Sequence, residues 1–547
     1  MQILPNVAEA QTQTTESALR SEVDVTDISI DDDSDEGFDA DDKINDPDYI
    51  PEDDSDTEDE LDEFDTGANV EGEERKFIVF ESALLAAFGS CPICGHSAEM
   101  KICAVVGTFC RLRQVCNGCN FKREWNSQSF VGSTAAGNIM FSAAVILSGS
   151  SIQKVLRLFS HIGISTITRQ TFSKHQRLHV VPSIIQLWEK ERNPRLEALA
   201  ADEEVVLGRD GRADSPGHSA KYGAYTMMNL KTGKIVDVQL VQSNEVTSSS
   251  AMEKEGLVRS IASLRESGVS INTLVTDHHS PIRKWMKDNL ADVHHKYDIW
   301  HISKSLNKKL KAAANLSICA SIKPWIQSIT NHLYWCAIST PDGNAELKVA
   351  KWKSIASHIQ NIHSGHDNLF PECLHGPLVG RERKKKWMVP GSKATQVLLP
   401  IILNPRLCQD VKIMSETFQT SKLEAFHSTL NHFAPKINHF SYWGQKCRTL
   451  VAAMHYNENG GRIQATTNDG EKCFGVAFPK FKKGGFVVKP VYVEQTFQYA
   501  DAVIAQVMET LAEGQVHHLE APPSALCSHF EHPNKQEAVA LHRSRFV

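Results

Sequence analysis

The order of apolar runs between residues 203 and 314 constrains this chain more than any other feature. EEVVLGRD ends on a carboxylate, and YGAYTMMNL and KIVDVQLVQS flank LKTG, which reads as a hairpin turn. SSSAMEKEGLVRSIASLRES opens with serine caps and continues with helical periodicity. INTLVTD is another apolar run closing on a carboxylate, and PIRKWMKDNL starts a short helix with proline in its first turn. HKYDIWHI reads as a fifth strand and SKSLNKKLKAAA as a basic helix. The order is β-β-β-α-β-α-β-α. Hairpin-linked strands followed by crossover units predict an α/β fold on a mixed five-stranded sheet with helices on its faces.

Charge divides the chain. Residues 1–75 hold 28 of the 66 acidic residues and 3 of the 58 basic ones, leaving 55 basic and 38 acidic residues over 76–547. The acidic tail 1–75 cannot bury enough apolar surface to offset its ordering entropy and is expected to be disordered. It serves either as a solubilising segment or as a binder of basic proteins. The remainder is basic, which points to a polyanionic partner such as nucleic acid. No apolar run of about 18 residues is present, so no membrane span is expected. The N-terminus lacks a signal-peptide pattern, so the 13 cysteines are expected as reduced thiols or metal ligands.

Residues 76–130 carry CPIC (91–94), Cys103, Cys110 and CNGC (116–119). Each C-x-x-C turn aims two thiolates at one point, and two turns complete a tetrahedral S4 site. The spacing predicts a structural Zn²⁺ in a zinc-ribbon-like cluster on Cys91, Cys94, Cys116 and Cys119. Cys103 and Cys110 are either core residues of the intervening hairpin or members of a swapped quartet. The hairpin would present Arg111, Arg113, Lys122 and Arg123 to DNA. Residues 131–200 read as helical, either plain packing helices or a DNA-binding block.

Residues 201–310 form the first part of the α/β core, 311–415 a helical insertion, 416–475 a returning segment with the helix LEAFHSTLNHF, and 476–547 a C-terminal extension with a strand pair and a helix. The insertion holds Trp325, Trp335, Trp352 and Trp387, read either as core or as stackers on unpaired bases. It also holds the basic run RERKKK (381–386), read as an import signal or as phosphate contacts.

Two predicted strands end in carboxylates, Asp210 and Asp277, and a third carboxylate, Glu424, lies on the later helix. Strand ends are where ligands sit in α/β sheets. Three oxygen donors on neighbouring elements suit Mg²⁺ or Mn²⁺. Asp202, Asp214 and Asp237 compete for the first position; Asp210 is preferred because it closes its strand and precedes glycine.

The segments LGRDGRADSPGHSAKYGAY, LVTDHHSPIRKWM, KYDIWHISKSLNKKL and TSKLEAFHSTLNHFAPK, taken in order, resemble the catalytic core of cut-and-paste DDE transposases over about residues 200–460. Within that superfamily the chain resembles the Kyakuja–Dileera–Zisupton elements. The resemblance implies a ribonuclease-H-like fold with a helical insertion between the second Asp and the Glu. It places Asp210, Asp277 and Glu424 as the Mg²⁺-holding catalytic carboxylates. Asp298 and His301 match an Asp-x-aromatic-His stretch that follows the second Asp. It further implies cleavage and joining of double-stranded DNA (transposon ends and target), a homodimer, and work in the nucleus. His218, Lys221 and Lys304 are candidate phosphate contacts. The competing functions are a domesticated, catalytically silent DNA-binding or chromatin regulator on the same scaffold, and a ribonuclease-H-like nuclease of repair or RNA processing.

Overall fold

A computed structural model of the protein describes residues 74–215, 220–277, 279–376, 386–416, 418, 420–436, 438–467, 469–478, 485–515, 519–524, 536 and 539–540. Residues 1–73 of the acidic tail, His218 and residues 381–385 of the basic run lie outside the described residues.

In chain order, α1 (Glu81–Ala87) precedes β1 (Glu99–Val106), β2 (Phe109–Val115) and β3 (Lys122–Asn126). The two-residue strands β4 (Phe130–Val131) and β5 (Thr134–Ala135) lead into α2 (Ala136–Leu147), α3 (Ile152–His161), α4 (Arg169–His175) and α5 (Val181–Ala200). Then come β6 (Val206–Ala213), β7 (Tyr222–Asn229), β8 (Lys234–Gln242), α6 (Ser249–Glu266), β9 (Thr273–Thr276), α7 (Ser280–Asn289), β10 (His294–Tyr297) and α8 (Ile299–Ala314). The later helices are α9 (Ile326–Ile338), α10 (Ala345–His358), α11 (Lys393–Ile402), α12 (Pro405–Ile413), α13 (Ser421–Phe433) and α14 (Tyr442–Asn459). A ribbon of β11 (Phe474–Ala477) and β12 (Val487–Pro490) and the helix α15 (Gln498–Ala512) complete the described chain.

The expected five-stranded mixed sheet is present, in the order β10-β9-β6-β7-β8. β9 runs parallel to both β6 and β10, and β7 and β8 form the antiparallel hairpin. That hairpin turns at Gly233, whose φ of 69° suits glycine, while the Asn229 side chain accepts the Lys231 N–H at 2.9 Å. None of the described helices is long and apolar enough to cross a membrane.

The described residues gather into two compact units, 204–210 with 271–421, and 74–203 with 211–270 and 422 onward. In the second unit, β1, β2 and β3 form an antiparallel sheet, and α5 packs on the hairpin through a buried cation. Arg192 on α5 reaches Asp237 at 2.7 Å, Ser263 Oγ at 2.6 Å and the Val236 carbonyl at 2.9 Å, so its charge is buried with partners. Asn457 on α14 accepts the Ile235 N–H at 2.7 Å and donates to its carbonyl at 3.0 Å, fixing α14 against the start of β8.

In the first unit, the helices after β10 share one core. Trp325 and Trp352 are fully buried in it, and the Trp352 indole donates to the Ile402 carbonyl at 2.9 Å. Trp335 and Trp387 pack against the same core half-buried. The tryptophans of the insertion therefore do packing work, and stacking on unpaired bases is not open to the two buried ones.

An ion triad around one fully buried lysine ties this unit together. Lys348, with no exposed surface, donates to Glu416 at 2.6 Å and to the Met414 carbonyl at 3.1 Å, while Lys296 on β10 reaches the same Glu416 oxygen at 2.9 Å. Burial pushes the Glu416 carboxyl up, but the two lysines outweigh it and hold it below its ordinary range. Its contribution is complete above the unfolded carboxylate's range and is lost as pH falls through the lower folded value. Lys348→Met should cost about 1–3 kcal/mol by leaving the half-buried Glu416 carboxylate with Lys296 alone, read from the urea midpoint. The stability gap between wild type and Glu416→Gln should shrink on acidification.

Candidate functional site

Strand register brings Asp210, Asp277 and the second-tier candidate Asp298 onto neighbouring strands. Gly208 on β6 and Lys296 on β10 both pair with Val275 on β9. Two residues further along each strand stand Asp210, Asp277 and Asp298. Parallel neighbours lie about 4.8 Å apart, so the three carboxylates form a row at the carboxyl end of the parallel strands, where ligands bind in open α/β sheets. The ladder reaches the row, because the Asp298 N–H donates to the Thr276 carbonyl at 3.1 Å.

Two expectations need correcting. β10 ends at Tyr297, and HKYDIWHI does not continue as a strand. Asp298 is the N-cap of α8, its carboxylate accepting the Trp300 N–H at 3.1 Å, so His301 sits in the helix's first turn. Asp210 does not close β6, which runs on to Ala213. The continuation is stabilised by Arg212, a buried guanidinium that donates to Asn431 Oδ1 and, at 2.9 Å, to the Ala434 carbonyl. Gly211 is required for a different reason than a turn. A Cβ there would come within 2.6 Å of the Tyr225 ring.

His301 gathers the field of the row. Its Nε2 lies 3.0 Å from Asp277 Oδ1. Burial pulls the imidazole down, yet Asp277, and more weakly Asp298 and Asp210, outweigh it and push it up to about 9. A buried imidazolium is thus held by three acids. Asp298 is itself buried, and its second oxygen accepts both the N–H of Thr420, at 3.1 Å, and the Thr420 hydroxyl. Both its oxygens are used by the backbone and a hydroxyl, which makes it a positioning residue. Asp210, inside β6, and Asp277, just past the end of β9, are half-buried hard oxygen donors on adjacent strands, a donor set that fits Mg²⁺ or Mn²⁺.

Glu424 stands in the first turn of α13, half-buried, four residues after the Thr420 tether. Lys304 lies on α8 over the Trp300 ring at 5.2 Å, and Lys221 precedes β7 half-buried. The competing acids have other work. Asp237 pairs with Arg192, Asp202 with Lys231 at 3.1 Å, and Asp214 accepts the Lys221 N–H at 2.9 Å.

The cysteine knuckles converge. Cys91 and Cys119 Sγ lie 3.5 Å apart, Cys94 and Cys116 3.6 Å, and all four within 4.8 Å. A tetrahedron with Zn–S bonds of about 2.3 Å has sulfur–sulfur edges of about 3.8 Å, so the thiols are arranged as such a site requires. Burial raises the Cys91 thiol, but the N–H groups of Cys94 and Ile93 outweigh it and bring it to about 6. Cys103 falls where the β1–β2 register shifts and is exposed, contrary to the expectation of a core residue, and Cys110 is half-buried. Neither joins the quartet.

The four cations assigned to the hairpin do not share one face. The pairings Arg113↔Glu124 and Val115↔Lys122 put Arg111, Arg113 and Lys122 on one side. Arg123 lies on the other, over the Phe88 ring at 4.8 Å. Arg113 is in an exposed ion pair with Glu124 at 2.6 Å. A second cluster escaped the sequence reading altogether, namely His358, His363, Cys373 and His375. Its signal was there as H-x4-H-x9-C-x-H, a spacing without a paired C-x-x-C knuckle.

Residues 241–368 match the family model of the Mutator-like transposases. The matched stretch contains Asp277, Asp298 and His301, so a transposase-like segment underlies that part of the acid row. It begins after Asp210 and ends before Glu424. None of the curated proteins matches the chain. A solved structure, the Drosophila P element transposase strand transfer complex, aligns at 12% identity over 61% of this chain and 94% of that one, with a TM-score of 0.29. A likeness at that level carries no weight.

Asp298→Ala should lower stability by about 1–3 kcal/mol, since it removes a cap and leaves the buried Thr420 N–H without its acceptor. Asp298→Asn, which keeps an acceptor oxygen, should recover part of that loss in the same denaturation measurement.

Proposed function

We propose that this chain is a DNA transposase-like protein that performs metal-dependent strand cleavage and transfer at Asp210, Asp277 and Glu424. The observation that carries the reading is the acid row around His301 within and beside the Mutator-like segment. The Kyakuja–Dileera–Zisupton resemblance is the finer part of this reading; the family model that matches residues 241–368 is that of the Mutator-like transposases.

Asp210 and Asp277 would hold Mg²⁺ or Mn²⁺, and Glu424 would complete the donor set. The bound ions would supply charge for the attacking and leaving oxygens of a phosphodiester. The chain's own residues set the stage. His301 orients Asp277 through its 3.0 Å contact. Asp298 holds the start of α8 and the segment leading to α13. Lys221 and Lys304 offer charge for phosphates. The thiol quartet would hold a structural Zn²⁺ and stiffen the sheet that carries Arg111, Arg113 and Lys122 towards duplex DNA; Arg123 would steady it from the opposite face.

Transposon ends and target are the partners in this reading, paired by a homodimer in the nucleus. The acidic tail would engage basic proteins. The supporting features are the basic balance of residues 76–547, the tail's charge and the run RERKKK.

The test is DNA cleavage by the full chain with Mg²⁺ or Mn²⁺, with DNA binding measured alongside. Asp210→Asn, Asp277→Asn and Glu424→Gln should each cut cleavage about 100-fold or more, the scale of losing one transition-state stabiliser, with DNA binding retained. A wild-type chain that binds DNA tightly and never cuts it would favour the silent regulator instead.

A further inference from the structure

We propose that the helical insertion contains a second metal site, a structural Zn²⁺ centre formed by His358, His363, Cys373 and His375. The reading is independent of the acid row and of the cysteine quartet. The four ligand atoms lie within 4.8 Å of one another.

Local folding builds the cluster from both ends. His358 is the last residue of α10, where the helix's negative end favours a cation. The chain then turns back on itself. Ser364 bridges Glu372, and the Cys373 N–H donates to the His363 carbonyl at 2.9 Å, so residues ten apart in sequence stand side by side. Cys373 Sγ lies 3.5 Å from His358 Nδ1. A tetrahedral zinc with a Zn–S bond of about 2.3 Å and Zn–N bonds of about 2.0–2.1 Å has sulfur–nitrogen edges of about 3.6 Å. The separation already fits.

The ring orientations point the same way. His363 gives its Nε2 to Asn361 Oδ1 at 3.0 Å, and its buried Nδ1 has no hydrogen-bond partner among the described residues. His375 uses its Nδ1 on the Gly376 carbonyl at 2.9 Å, which leaves its Nε2 as the donor. One ring nitrogen held by an oxygen and the other aimed at a common point is the arrangement of metal-bound histidines. Trp387 closes one side, its ring edge-on to His358 at 5.6 Å and to His363 at 5.4 Å. Three imidazoles and one thiolate fill four positions, so the ion would have no open site and would act as a staple. It would clamp residues 358–375 to the helical core through Trp387, just ahead of the basic run at 381–386.

The test is zinc content of the purified full chain, with Co²⁺ substitution as a spectroscopic check. Wild type should carry two Zn²⁺ per chain, one of which survives Cys91→Ser/Cys94→Ser. Cys373→Ser and His363→Ala should each remove one equivalent and leave the other. The Co²⁺ form of the Cys91→Ser/Cys94→Ser chain should show tetrahedral bands that disappear on adding Cys373→Ser. A wild-type chain with one Zn²⁺ that is lost with Cys91 and Cys94 would overturn the site. So would Cys373→Ser and His363→Ala variants, folded by circular dichroism, that keep the full wild-type zinc content.

Discussion

Parallel pairing of β9 with both β6 and β10 is the constraint on which the candidate site depends. One register through Gly208, Val275 and Lys296 fixes where Asp210, Asp277 and Asp298 fall. Side chains in a strand alternate between faces, so a slip of one residue in either pairing would send an acid to the other side of the sheet. The lysine–glutamate triad acts on the same strand. Lys296 is the β10 member of the row just before the acids, and Glu416 holds it. The stability of the helical insertion and the placement of the acid row are therefore linked through one strand.

Three acids at the end of a sheet repel one another unless a cation is present. His301 supplies charge from within the protein. Asp298 is removed from the contest by capping α8 and binding Thr420. The outcome is a division of labour among chemically equal side chains. Two acids stay half-buried beside His301, and one is spent on positioning the backbone.

Much of the fold was legible from residue pattern. Apolar runs, a tight hairpin at LKTG and serine-capped helices dictated the element order and a five-stranded mixed sheet. The burial of Trp325 and Trp352 followed one of the two readings that their spacing left open. The misreadings share a cause. Asp210 looked like a strand end because glycine follows it, but β6 runs on to Ala213, and Arg212 finds Asn431 and Ala434 more than 200 residues away. HKYDIWHI looked continuous because apolar alternation does not reveal that Asp298 takes up the Trp300 N–H.

The sequence alone determined which chemistry the chain possesses: two C-x-x-C knuckles with four soft thiols, carboxylates in and just after apolar strand runs, and a basic remainder behind an acidic tail. Those follow from residue type and short spacing, which local backbone geometry translates directly. Tertiary structure alone decided which groups meet. It set Asp298 to capping and Asp277 to His301, put Arg123 on the opposite face from Arg111 and Arg113, and closed His358, His363, Cys373 and His375 into one cluster. These outcomes depend on strand register and chain reversal, and both are set by packing between segments whose separation in sequence carries no periodic signal.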